Sequence, residues 1–276
     1  MKYSPLEFKN KMEKYNFNLK KMYGQNFIID ENIIDAIINK ASIDKNTLVI
    51  EVGPGAGSLT YKLSKFAKNV LCYEVDTTLK DLLKDNLCDC DNLEIIYKDF
   101  LKVNIIDDIK KYKYNKLYVV ANLPYYITTP IITKFIEENI PVDKIVVMVQ
   151  KEVGDRFKAK PNTKDYNSLS IYLNYYFDTK KILDVSKNVF IPKPNVDSIV
   201  IEFIKKENKY KLKNESLFFK LVKDSFTQKR KNLRNNLKKY NLEKIEEVLK
   251  KHNLDLSARA EQIPIEIFIE IANNLS

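Results

Sequence analysis

The chain has 276 residues, 45% apolar and 30% charged, a globular balance that excludes a disordered or fibrous protein and fits one ordinary domain plus a small one. No run of 18 apolar residues occurs, which excludes a transmembrane helix, and residues 1–17 (MKYSPLEFKNKMEKYNF) lack a signal peptide's apolar core, so a cytoplasmic protein is expected. The net charge of +10 is concentrated: segment 205–251 holds 16 Lys and Arg against 6 Asp and Glu, accounts for the whole surplus, and predicts a polyanionic partner.

Through the first two-thirds, short apolar runs alternate with amphipathic stretches. Strands are predicted at 47–52 (TLVIEV), 70–75 (VLCYEV), 93–97 (LEIIY), 117–121 (LYVVA) and 144–149 (KIVVMV), with helices between most of them, at 60–67 and 129–139 for example. β-Branched runs of this length suit strands buried on both faces, and the alternation predicts a parallel sheet covered by helices. Two further runs, 182–185 and 198–204, would complete the sheet as a hairpin. Beyond Ile204 a charged linker, KKENKYKLKNES, leads into a helical pattern with no strand. A helix through 216–240 would align Val222, Phe226, Leu233, Leu237 and Tyr240 on one face and Arg230, Lys231, Arg234 and Lys238 in a neighbouring stripe. Such a stripe can be a solvated face; the charge surplus around it favours contact with phosphates. Cys72, in an apolar run, reads as a buried thiol, and Cys88 and Cys90 as spare reduced thiols. With His252 the only histidine, no metal site is expected.

The chain has only five glycines, and three of them, Gly53, Gly55 and Gly57, fall in EVGPGAG between a strand and a helix start. Glycines there let the backbone turn sharply and approach a ligand, while the helix N-terminus behind them favours negative charge. The G-x-G-x-G spacing fails the dinucleotide fingerprint and lacks the Lys-Ser/Thr of a P-loop. Glu74 closes the second strand, 21 residues past Gly53, where a carboxylate can accept from ribose hydroxyls. Asp99 closes the third, placed to accept from an adenine amine. A glycine turn with these two acids reads as an adenosine site without a pyrophosphate, and S-adenosylmethionine is the natural candidate. Glu51 has two readings, a partner for the methionine end or a cap for nearby backbone amides.

The fourth strand ends in Asn122-Leu123-Pro124-Tyr125. Adenine's exocyclic amine is a poor nucleophile because its lone pair is delocalised into the ring. The Asn122 amide oxygen and the Leu123 carbonyl, each accepting one N–H, would draw that nitrogen towards tetrahedral geometry. Pro124 restricts Leu123 to extended backbone and so fixes its carbonyl. Tyr125 would stack the base. A proline-marked turn with packed tyrosines is the plainer reading; the glycine turn and both acids upstream favour the catalytic one. Tyr126 has no role in this scheme.

The runs YGQNFIID (23–30), EVGPGAGSLT (51–60), YEVD (73–76), KDF (98–100), NLPYYITTPI (122–131), QKEV (150–153), FIPKPNVDS (190–198), RKNLRNNL (230–237) and RAEQIP (259–264) together make the chain resemble the ribosomal RNA adenine N6-dimethyltransferases of the bacterial small-subunit type. The resemblance implies an α/β fold, a Rossmann-like class I methyltransferase sheet with a small C-terminal all-helical domain. It implies domains at 1–204, with a cofactor-covering segment over about 1–30, and at 205–276, the basic RNA-binding part. It further implies two methyl transfers to each of two adjacent adenines near the 3′ end of small-subunit (16S) rRNA, in a cytoplasmic enzyme acting during ribosome biogenesis. By position, Asn26 and Ile28 would join Gly53, Gly55, Glu74, Asp99 and Asn122 around the cofactor. Phe190 would be a second stacking aromatic for the flipped base, and the helix carrying Arg230, Lys231, Arg234 and Lys238 would face the RNA.

Two positions depart from the family pattern. Asn167 stands where glycine is common and is expected to keep a left-handed turn; Asn195 stands where lysine is usual, removing a phosphate contact. A large-subunit (23S) rRNA substrate, conferring macrolide resistance, is the nearest alternative, and Leu123 with TTPI disfavours it. A DNA adenine methyltransferase would need a base-reading domain that is not evident. A non-catalytic assembly or transcription factor would not need Asn122, Pro124, Tyr125, Glu74 and Asp99 intact. No spare apolar face is evident, so a monomer is expected.

Overall fold

The computed structural model describes residues 5–15, 25–125, 127–207 and 210–276. The chain divides into two compact units, one of Met1–Gly154 with Lys180–Ile204, the other of Asp155–Thr179 with Lys205–Ser276.

The first unit is a sheet covered by helices. Its strands are β2 (Thr47–Val52), β3 (Asn69–Tyr73), β4 (Leu93–Ile96), β5 (Lys116–Asn122), β6 (Lys144–Gln150), β7 (Phe177–Val185) and β9 (Ser198–Lys205), in the order β4-β3-β2-β5-β6-β9-β7. The first five are parallel and β9 runs antiparallel to β6, with Met148 opposite Val200 and Gln150 opposite Ser198. Every residue of β2 is buried, as its run of apolar and β-branched side chains requires. Short β1 (Phe27–Ile28) pairs antiparallel with β8 (Phe190–Ile191), a separate ribbon that two-residue runs do not announce.

Helices α2 (Glu31–Ala41), α3 (Ser58–Phe66), α4 (Lys80–Asn86), α5 (Ile105–Ile109) and α6 (Thr128–Glu137) connect the strands, α1 (Pro5–Lys14) precedes them, and α7 (Lys151–Phe157) follows β6. In α2, Ile34, Ile37, Ile38 and Ala41 recur at helical spacing and join Val49, Val70, Val120 and Val146 in one core layer. Burying an isoleucine there contributes about 1.5–3 kcal/mol. Asp30 starts α2 by accepting from Asn32 N at 2.8 Å. Strand order reverses between β2 and β5, so the C-terminal ends of β2–β5 open onto a crevice, the usual ligand position in such sheets.

The second unit is built of helices α8 (Ser168–Tyr176), α9 (Glu215–Ser225), α10 (Leu233–Asn236), α11 (Leu242–Lys251) and α12 (Ile265–Leu275). It takes in residues 155–179 as well as 205–276, because Tyr166, Ile171 and Tyr175 pack with Phe218, Leu249 and Phe268 in its core. The side-chain caps of α8, α9, α10 and α11 are all asparagines: Asn167, Asn214, Asn232 and Asn241. Among the described residues, no helix is long and apolar enough to cross a membrane.

Two expectations are corrected. The stretch 216–240 is not one helix: α9 stops at Ser225, a turn follows, and α10 restarts only at Leu233. The break is held by hydrogen bonds a continuous helix could not make. Asn236 Nδ2 donates to the Ser225 carbonyl at 2.6 Å, and the amides of Leu233 and Arg234 donate to the carbonyls of Ala258 and Leu256. Asn167 is not left-handed; at φ −156° and ψ 179° it is extended, and its side chain accepts from Leu169 N and Ser170 N to open α8. The position works as a helix cap, for which asparagine is among the best residues.

Candidate active site

The crevice holds a cavity of about 290 Å³ at the strand ends, a size at the low end for small-molecule sites. It brings together Asn26, Ile28, Gly53, Gly55, Glu74 and Asp99 with Asn122, Leu123, Pro124 and Tyr125, residues spread over about a hundred positions of the chain. Gly53 and Gly55 carry φ of +73° and +59°, a region side chains avoid, and a Cβ on Gly55 would stand 2.9 Å from Phe27 Cε1. The turn therefore needs glycine for its backbone and, at Gly55, for space.

Glu74 lies just past β3 and is 5% exposed. Its Oε2 accepts from Gly55 N at 3.3 Å and its Oε1 from Asp76 N at 2.8 Å, so one carboxylate braces the glycine turn while facing the cavity. Burial holds its carboxyl above the ordinary carboxylate value, and the hydrogen bonds from the Asp76 and Gly55 backbone N–H groups offset that only in part. Asp99 caps the turn after β4, its Oδ1 accepting from Leu101 N at 3.0 Å, and Lys102 Nζ lies 3.6 Å from its Oδ2. Glu51 sits 2% exposed on the cavity floor, where burial pushes its carboxyl up to about 7. Its described partner is the Cys72 thiol, which donates to Oε2 at 3.5 Å, rather than a backbone amide. Burial, followed by the nearby Glu51 charge, holds that thiol well above its ordinary range.

Asn122 ends β5. Its Nδ2 donates to the Asn26 carbonyl at 2.8 Å, which orients the amide and leaves Oδ1 as the acceptor for a ligand. Leu123 N donates to the Met148 carbonyl at 3.2 Å, and the Pro124 carbonyl accepts from Ile127 N and Thr128 Oγ1. The Asn-Leu-Pro segment is thus tied down on both sides, and among the described residues nothing donates to Asn122 Oδ1, its uncommitted side-chain acceptor. Tyr125 shares a 2.9 Å hydrogen bond with Ser198 Oγ, and burial pushes its phenol upward. Tyr126 lies outside the described residues, as do 1–4 and 16–24 of the expected cofactor-covering segment.

Phe190 is not among the residues lining the cavity. It is 3% exposed, pairs with Ile28 across β1 and β8, and belongs to the core layer with Val185 and Val200. Its ring packs in that layer and is not brought together with the residues around the cavity. Arg230, Lys231, Arg234 and Lys238 are exposed on the second unit, the first two in the turn before α10. Arg234 makes a loose 4.0 Å pair with Glu246. Sequence reasoning missed Phe27 beneath Gly55 and Ser198 behind Tyr125; their signals were the apolar pair in NFIID and the serine closing KPNVDS. Among the described residues, no group of three or more His, Cys, Asp and Glu is placed to hold a metal ion.

The donor set suits an adenosine-bearing methyl donor. The buried Glu74 carboxylate can accept from hydroxyls, the Asp99 carboxylate can accept from an amine, and the glycine turn leaves room for a ligand to reach the backbone, with Phe27, Ile28 and Val75 as apolar wall.

Comparison with known proteins agrees with this geometry. Residues 16–276 match the family model described as ribosomal RNA adenine dimethylase. A ribosomal RNA small subunit methyltransferase A from Clostridioides difficile is 49% identical over 270 residues, covering 96% of this chain and 93% of that protein. A dimethyladenosine transferase of Plasmodium falciparum superposes with a TM-score of 0.74 at 26% identity, over 89% of this chain and 95% of that one. The 23S rRNA methyltransferase ErmE superposes at 0.70 with 24% identity, over 90% and 99%, a likeness of fold alone. The chain, with its class I methyltransferase sheet, belongs to the ribosomal RNA adenine dimethylase family.

Proposed function

We propose that the chain dimethylates the N6 amines of two adjacent adenines in the hairpin loop near the 3′ end of small-subunit (16S) rRNA. The observation that carries this reading is the Asn122 amide, whose N–H₂ is committed to the Asn26 carbonyl and whose Oδ1 remains to accept from an amine at the cavity. The near-full-length relative named for the small subunit favours that substrate over the large one. S-adenosylmethionine would supply an electrophilic methyl on a sulfonium, its carbon–sulfur bond breaking with the electron pair left on sulfur.

Asn122 Oδ1 and the Leu123 carbonyl each accept one N–H of the target amine, bending it towards tetrahedral geometry and freeing its lone pair. That lone pair forms the new N–C bond, and the cationic methylated nitrogen sheds its proton to solvent, so no base of special pKa is needed. Pro124 fixes the carbonyl's direction and Tyr125 offers its ring to the base, an interaction worth about 1–3 kcal/mol. Glu74 holds the ribose hydroxyls of the methyl donor, Asp99 its adenine amine, and Gly53 and Gly55 let it approach the main chain between Asn26 and Ile28. The exposed cations of the second unit, Arg230, Lys231, Arg234 and Lys238, meet rRNA phosphates, and the enzyme acts as a monomer.

The test is incubation with methyl-labelled S-adenosylmethionine and immature small or large subunits. Label in small-subunit adenines is expected. Label in large-subunit rRNA would move the substrate assignment, and particle binding without label would make the chain a non-catalytic factor.

A further inference from the structure

Given the dimethylation proposed above, we propose that Ser198 is a positioning residue for Tyr125, and that its contribution falls mainly on the second methyl transfer to each adenine. Ser198 is fully buried at the start of β9, opposite Gln150 at the end of β6. Its Oγ lies 2.9 Å from the Tyr125 hydroxyl. Two residues before the tyrosine, Leu123 N is tied to the Met148 carbonyl of β6. The tyrosine is therefore held at both ends, its backbone by the turn and its ring tip by β9. A ring pinned at its tip cannot swing about the Cα–Cβ bond, so it presents one face in one place.

The two transfers make different demands on that face. Each forms one N–C bond and releases one proton from N6. At the first, the amine offers two N–H groups to two acceptors, Asn122 Oδ1 and the Leu123 carbonyl. At the second it offers one N–H and a methyl, so one acceptor goes unanswered. The base is then located by a single hydrogen bond and by the ring it stacks on. Loosening the ring costs the second transfer more than the first.

Ser198→Ala and Tyr125→Phe remove opposite ends of the same hydrogen bond while keeping the aromatic face. With immature small subunits and S-adenosylmethionine, N6-methyladenosine and N6,N6-dimethyladenosine are quantified after digestion, alongside KM for S-adenosylmethionine and the melting temperature. Each variant is expected to raise the mono- to dimethyl ratio about fivefold, the size of one net hydrogen bond, with KM within about twofold of the parent. The double variant is expected to be no worse than either single one, because both act through one hydrogen bond. An unchanged ratio, additive effects, or a ratio that rises only together with KM overturns the assignment. A parent chain that makes neither product overturns the proposed function instead, and this role with it.

Discussion

Substituting Gly55 by alanine puts two costs on one atom. The residue sits at φ +59°, where a side chain costs about 1–2 kcal/mol. Its new Cβ would lie 2.9 Å from Phe27 Cε1 and 3.0 Å from Cδ1, closer than carbon atoms pack. Phe27 cannot yield easily: it is 7% exposed, its strand is paired to β8, and it packs in a cluster with Ala56, Leu79 and Leu82. Overpacking of this kind costs about 1–3 kcal/mol. Relief comes by moving the glycine turn, which Glu74 Oε2 holds at Gly55 N, out of its ligand-ready shape. About 3 kcal/mol on that shape is roughly a hundredfold in affinity. Calorimetric titration with S-adenosylmethionine should show Gly55→Ala binding about a hundredfold more weakly. Adding Phe27→Leu, which removes the ring edge but not the φ cost, should recover about tenfold of it, given the clash's share of the cost. Binding of Gly55→Ala within about threefold of the parent, or no recovery in the double variant, would refute the steric reasoning.

Asn122→Ala removes the side-chain acceptor and the tie to Asn26; kcat should fall by about 10²–10³ while small-subunit binding stays near the parent's, and equal loss of both would contradict its role. Glu51 holds its proton to about pH 7 in the folded chain, against an ordinary 4.5, so its contribution favours the fold at low pH and is lost as pH rises through that window. Urea midpoints should show Glu51→Gln gaining on the parent between about pH 5 and pH 8, by about 3 kcal/mol, whereas parallel profiles would mean the carboxyl is ionised throughout. Reversing the charges of Arg230, Lys231, Arg234 and Lys238 should weaken rRNA binding and flatten its salt dependence, by about 0.7–0.9 in log–log slope for each phosphate released. An unchanged slope would leave those cations as solvated surface.

The sheet was legible because its strands are continuous β-branched runs, and the observed bounds differ from the predicted ones by a residue or two except at β7, which begins five residues earlier at Phe177. The cavity was legible too, since the glycine turn, the two acids and Asn-Leu-Pro-Tyr each follow a strand and the topology brings strand ends together. Features depending on distant partners were not legible. Helical periodicity continues through 216–240, yet backbone bonds to Leu256 and Ala258 favour a break. Phe190 looks available as an aromatic near the site, and its burial follows from pairing with Ile28, 162 positions earlier. The left-handed expectation at Asn167 came from the glycine common at that position and asparagine's tolerance of such backbone, whereas a serine three residues on completes a capping box.

The asparagine caps of the second unit have a consequence for how the molecule meets a polyanion. Aspartate starts a helix as well as asparagine does, and in the first unit Asp30, Asp76 and Asp99 serve that purpose. At Asn167, Asn214, Asn232 and Asn241 the same backbone amides are satisfied without any negative charge. Aspartates at the last three would leave their helices equally well begun and cancel three of the ten surplus positive charges of segment 205–251. Long-range attraction scales with that surplus, so neutral caps let helix initiation and the capture rate of a nucleic acid vary independently of each other.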